Sequence, residues 1–123
     1  MELIDNQIIN RISKAIKCLG FNKKFYSDIN EFGFTAEEVF KMKAEYLVSG
    51  FKWFKNPDHL EETFRWLIKI GVLRREVDGQ GLTSKVRLTP LGRQLLQQRP
   101  LLPIQKASLF EKVSDWFFRK LFF

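Results

Sequence analysis

Few residues in this chain are equipped to make or break bonds. His59 is the one histidine. A metal site would need carboxylates such as Glu62 with it, general-base catalysis would need a nucleophile in reach, and neither set accompanies it. A helix-surface residue near a cap is the ordinary reading of His59. Cys18, the one cysteine, is flanked by Lys14 and Lys17; their charges lower a thiol pKa and would serve a redox sensor, whereas a half-exposed helix thiol needs no role. A lone cysteine excludes an internal disulfide and any cysteine-based zinc site within one chain. It fits a reducing compartment, so the cytoplasm is the expected location. Asp78-Gly79-Gln80-Gly81 is no phosphate loop, because it joins two strands and its glycines serve turn dihedrals. No cofactor is implied, and nothing in the pattern favours an enzyme.

The remaining chemistry is electrostatic. The chain of 123 residues carries 21 Lys and Arg against 14 Asp and Glu, for a net charge of +7. The first 71 residues are close to neutral. The excess begins after Gly71, with Arg74, Arg75, Lys85, Arg87, Arg93 and Arg99 against only Glu76 and Asp78 before residue 100. A local positive field attracts nucleic acid, anionic lipid or an acidic protein through the same Coulomb attraction, and it is also a common solvated surface.

The elements that must position these charges follow from hydrophobic period and caps. Ile8, Ile12, Ala15, Ile16 and Leu19 mark an amphipathic helix from Asp5, stopped by Gly20. Phe25, Ile29 and Phe32 line a short second helix closed by Gly33. Thr35-Ala-Glu-Glu38 is a capping box that opens a helix to Val48, with Phe40, Ala44 and Leu47 as its buried stripe. Ser49 to Lys55 reads as a packed aromatic connection. Asn56-Pro57 starts a helix over 57–70, with Leu60, Phe64, Leu67 and Ile68 inward and Asp58, Glu62, Arg65 and Lys69 outward; His59 and Trp66 lie beside that outward face. The period then shortens from 3.6 toward 2, predicting a hairpin across 72–88. Thr89-Pro90 opens another helix, and Leu101-Leu-Pro103 is a stiff link. The expected fold class is mainly α with a small antiparallel β-hairpin.

A helix ending in Gly, a strand, a Gly-containing loop, a second strand and then Leu88-Thr-Pro-Leu-Gly-Arg93 follow one another in the order of a winged helix-turn-helix. The span from Phe64 to Leu96 resembles the recognition helix and wing of PadR-like and MarR-like transcription regulators. That resemblance implies a non-enzymatic regulator of transcription bound to duplex DNA as a homodimer, with a winged-helix domain over residues 1–99. In it, helix 57–70 enters the major groove, Arg65 and Lys69 reach the groove or its backbone, and Arg74, Arg75, Lys85 and Arg87 grip phosphates from the wing. The alternative use of the same six residues is a solubilising surface on a winged helix that binds protein. Asp58, Glu61 and Glu62 in the first two turns of the helix repel phosphate, and the connection at 49–55 is longer than the turn of a helix-turn-helix.

Residues 100–123 read as a linker and an aromatic C-terminal helix from the capping box Ser108-Leu-Phe-Glu111. Phe110, Val113, Trp116, Phe117 and Leu121 belong to an apolar face that leaves only a narrow polar strip. Such a face must be covered. Pairing with a second copy is the expected arrangement, and packing on its own domain or lying in a membrane surface are the alternatives. With thirteen Phe and three Trp in the chain, some aromatic surface is expected to meet a partner.

Overall fold

The structure, a computed structural model, describes residues 6–48, 54–100, 102–104, 113, 116 and 120. Side-chain caps set where its helices begin. Helix α1 spans Asn6–Leu19, and Gly20 stops it at φ 72°, a conformation that suits a residue without Cβ. Helix α2, Lys23–Glu31, starts where the Asn22 side chain accepts from the Phe25 N–H. Its Phe25 and Ile29 point inward as expected. Phe32, expected on the same face, lies beyond the helix in extended backbone and is 63% exposed.

The Thr35–Glu38 capping box forms with both of its hydrogen bonds. The helix it opens does not run to Val48. It breaks at Met42 into α3, Ala36–Lys41, and α4, Lys43–Tyr46. The break changes which residues are inside. Ala44 is exposed and Phe40 and Leu47 are half-buried, while Ala36, Val39 and Tyr46 are buried. Past α4, Leu47 turns extended and pairs with Phe21, so that Asn22 N–H donates to Tyr46 O and Val48 N–H to Gly20 O. A helix continued to Val48 would withhold those backbone groups from the α1–α2 link, which is why α4 stops at Tyr46.

Helix α5, Pro57–Lys69, begins on the Asn56 cap with Pro in the first turn. Leu60, Phe64 and Leu67 are buried as expected and Ile68 is half-buried, but Thr63 and Trp66 are buried as well. Trp66, expected beside the outer face, is only 1% exposed. The helix is flanked by α3 and by the first strand, so it buries a wider arc than a helix lying on one surface. Strands β1, Leu73–Asp78, and β2, Gly81–Leu88, form the antiparallel hairpin, and α6, Pro90–Gln98, follows from a Thr89 cap. A short turn of 3-10 helix over Leu102–Ile104 packs on α1, and Leu102 joins the core.

The core is largely aromatic. Phe21 stacks on Phe25 at 4.1 Å and on Phe54 at 5.5 Å, and Phe64 closes the cluster 6.1 Å from Phe25. Much of the aromatic surplus in the sequence is therefore used inside. Phe54 is the described end of the connection expected at 49–55; residues 49–53 lie outside the described residues, as does the capping box at 108–111.

Two measurements check this packing. A Cβ on Gly92 would lie 2.6 Å from the Val72 carbonyl oxygen, whereas one on Gly79 would meet nothing within 4 Å. Overpacking costs about 1–3 kcal/mol and outweighs the gain of up to about 1 kcal/mol from replacing Gly in a helix. Gly92→Ala is thus expected to lower the urea midpoint, with Gly79→Ala close to the parent. Asp28 ties α2 to α4, accepting from Lys24 at 2.8 Å and from the Tyr46 hydroxyl at 2.9 Å. The bond from Lys24 holds its carboxyl below the ordinary carboxylate range, against an opposing effect of burial and with help from Tyr46. A carboxyl whose folded pKa is depressed stabilises the fold above its unfolded pKa, and that contribution is lost as pH falls toward the folded one. Asp28→Asn is expected to be less stable than the parent at neutral pH, and the gap in urea midpoints should close in acid below both pKa values.

Candidate nucleic-acid interface

The six cations expected on the nucleic-acid face divide into two groups. Arg65, Lys69, Arg74 and Lys85 are exposed, the first two on α5 and the others on the hairpin. Arg75 and Arg87 are engaged by the protein itself. Arg75 forms a short ion pair with Glu61 of α5 and donates to the Ser84 carbonyl at 3.0 Å. Arg87 donates from Nη2 to the carbonyls of Asn30 and Glu31, at 3.1 and 3.0 Å, and its Nη1 lies 3.6 Å from Glu76. Those carbonyls end α2, where the helix dipole is negative, so Arg87 acts as a C-terminal cap supplied by the hairpin. Both guanidinium groups thus already hold carboxylates or carbonyls of the protein itself.

The local sequence explains the division. In β2, Val86 and Leu88 are buried and Arg87 between them faces the other way, toward α2. Arg74 is the register partner of Arg87, and Arg75 is that of Val86. The register shifts between Arg75 and Val77, and Thr83 fills the irregular stretch, its hydroxyl donating to Glu76 O at 2.9 Å. Beyond the shift, Val77 and Leu82 face each other, 63% and 76% exposed.

The hairpin is fixed to the body at a place the sequence did not reveal. Phe34, between Gly33 and the α3 cap, exchanges two backbone hydrogen bonds with Val86, at 2.8 and 3.3 Å. It acts as a one-residue third strand on the free edge of β2. Its only sequence signal is an apolar residue directly before an N-cap, which is too common to point to strand pairing.

On α5 the outward face expected from the wheel is observed. Asp58, Glu62, Arg65 and Lys69 are all exposed, a face with no net formal charge. Arg65 and Ser84 share a groove of about 590 Å3 with Glu37, Asp58 and Glu61, between the starts of α3 and α5 and the hairpin. With Glu61 paired to Arg75, Glu37 and Asp58 against Arg65 leave this groove weakly acidic. Lys85 stands near its edge: Glu38 is held below its ordinary pKa first by the Thr35 N–H and, among charges, by Lys85.

His59 sits half-buried with its ring edge-on to Phe54 at 5.7 Å, and Cys18 is half-buried on α1. Of the residues expected to pair two copies, Val113 and Trp116 are helical and 51% and 56% exposed. Phe110, Phe117 and Leu121 lie outside the described residues. Among the described residues no helix is long and apolar enough to cross a membrane.

Fold and surface together define a small, mainly helical protein with a two-stranded hairpin clamped to its body by an arginine and a backbone bridge. The chain belongs to the Npun_F0494-like family, whose model matches residues 3–119. Comparison with curated proteins and with solved structures gives no match.

The two groups of cations differ in what their loss should do. Removing Arg87 leaves the last carbonyls of α2 without that donor and Glu76 without that counter-charge, a loss of about 1–3 kcal/mol. Arg87→Ala is expected to show it in chemical denaturation, while Arg74→Ala stays within about 0.5 kcal/mol of the parent.

Proposed function

We propose that this protein binds duplex DNA as a non-enzymatic regulator, with α5 as the groove-facing helix and the β1–β2 hairpin as the wing. The observation that carries this reading is the open outer face of α5 beside a hairpin held in a fixed position. At about 1.5 Å per residue, thirteen residues give a rod of about 20 Å, and the major groove accepts an α-helix. The order α5, β1, β2, α6 is also the order of helix, strand, strand and helix in the second half of a winged helix-turn-helix, while α3 and the short α4 precede it.

The contact set in this proposal is Arg65, Lys69, Arg74 and Lys85. Neutral overall charge on the α5 face favours recognition of DNA shape and backbone over base reading. Two copies joined through the C-terminal helix, where Val113 and Trp116 are exposed, would double the phosphate contacts and set the spacing of half-sites. The lone Cys18 fits a cytoplasmic setting.

One observation favours a second reading. The acidic groove around Glu37, Asp58 and Glu61, with the exposed apolar pair Val77 and Leu82 at the hairpin tip, suits a basic segment of a partner protein better than it suits phosphate. Trp66, expected beside the outward face of α5, is buried and adds nothing to this surface.

Binding of duplex DNA measured by fluorescence anisotropy across a salt series separates the readings. Each neutralised phosphate contributes a log–log slope of about −0.9, so four contacts give about −3.6 per protomer. Arg74→Glu with Lys85→Glu is expected to weaken binding to every duplex sequence and to flatten that slope by about two contacts. Among the described residues these two side chains make no hydrogen bond or ion pair that holds the fold, unlike those of Arg75 and Arg87. Unchanged binding in the double variant, or a parent with no salt-dependent binding, rejects the DNA reading and leaves the surface to a protein partner.

A further inference from the structure

The outward face of α5 carries its charges in two halves. Asp58 and Glu62 stand in the first half and Arg65 and Lys69 in the second, at intervals of four, three and four residues, so the four form one straight stripe along the helix. All four are exposed. Glu62 and Arg65 are close enough in sequence to pair within the helix, yet among the described residues Asp58, Glu62 and Arg65 form no ion pair.

We propose that this stripe is self-complementary and joins two copies of the chain through an antiparallel α5–α5 contact. A two-fold axis passing between Thr63 and Phe64 lays Glu62 of each copy against Arg65 of the other, and Asp58 against Lys69. Parallel helices would set each charge against its like, and sliding the axis toward either end opposes carboxylate to carboxylate or cation to cation. This surface is separate from the pairing expected of the C-terminal helix.

The surroundings of the helix start favour the basic half of a second copy. Glu37 shares the groove of about 590 Å3 with Asp58, the residue that meets the incoming Lys69. Arg75, held to Glu61, and Ser84, in the same groove, keep the hairpin alongside this part of α5. Val77 and Leu82, nearer the hairpin tip, lie beyond them at 63% and 76% exposure. Covering that pair adds apolar burial to a contact otherwise made of charge. Two helices of this length bury less than a permanent dimer does, so the association is transient and weakens as salt screens it. The contact itself does not need the DNA reading. Its consequence rests on that reading: the paired form has the DNA-facing side of α5 covered, and protein concentration and salt set how much of the chain is open.

Zero-length coupling of carboxylates to amines by a carbodiimide, applied to the full chain with no DNA present, tests the contact. Asp58 and Lys69 are eleven positions apart on one helix, about 16 Å, too far to be joined within a chain. An Asp58–Lys69 amide found by mass spectrometry of the digest therefore reports two copies. It is expected at low salt and should fall about tenfold in 1 M salt, where the screening length is about 3 Å. Glu62→Arg and Arg65→Glu each set like charges face to face, and each alone should lower the amide about tenfold. An equal mixture of the two variants opposes unlike charges again and should restore it, which repair of a merely structural defect would not do. Circular dichroism and thermal melting check that each variant is folded, and the amide in the parent is read independently of both. Absence of that amide at low salt, its persistence in either single variant, or no recovery on mixing overturns the inference. Because DNA is absent throughout, failure of this contact and failure of the DNA reading are distinguishable.

Discussion

A hairpin of two strands is marginal in water by itself, and this one is held by what β2 gives up on each side. Its free edge is closed by the exchange of backbone hydrogen bonds between Val86 and Phe34. Its polar face is closed by Arg87, which reaches the carbonyl end of α2 and the Glu76 carboxylate. Val72 closes the base, accepting from the Thr89 N–H at 3.0 Å, and Gly92 keeps α6 close enough for this contact. The orientation of the wing relative to α5 depends on these three attachments, and so does any surface the two elements share.

The attachment uses charge that the sequence counts as available. Arg74 and Arg87 are opposite one another in the ladder, where like charges destabilise a pair. Glu76 and the two α2 carbonyls neutralise one of them, so the other can point to solvent without that repulsion. Gly33 takes part as well, since a methyl group there would meet the Glu76 carboxylate. The formal +4 of residues 72–99, six cations less Glu76 and Asp78, overstates the field outside the molecule, because Arg75 is balanced by Glu61 from outside that span, which leaves +3.

Element existence was legible because it rests on short-range chemistry. The Thr35, Asn56 and Thr89 side chains all cap helices, Gly20 and Gly71 follow helices at positive φ, and the hairpin turn lies where the glycines place it. The misplacements came from contacts distant in sequence. The stop of the helix before Val48 is imposed by pairing of Leu47 with Phe21, 26 positions earlier. The inward turn of Trp66 follows from flanking by both α3 and β1, which a wheel drawn for one buried face cannot contain. For the candidate site, the exposed side of α5 was readable from periodicity, but the division of the arginines was not. Arg87 and Glu31 are separated by 56 positions, and Arg75 and Glu61 by 14, beyond any local pattern.

Asn30 is where these constraints meet. Its main-chain carbonyl accepts from Arg87 and its side chain accepts from Arg93, so one residue at the end of α2 serves both the hairpin clamp and the seat of α6. Both bonds come from guanidinium groups, and hydrogen bonds to a charged partner are stronger and more directional than neutral ones. A shift of α2 by a fraction of an ångström at Asn30 would lengthen both together, because backbone and side chain move as one residue. Packed interiors move between discrete arrangements instead of deforming smoothly. Asn30 therefore ties the position of the hairpin and that of α6 to the same end of α2.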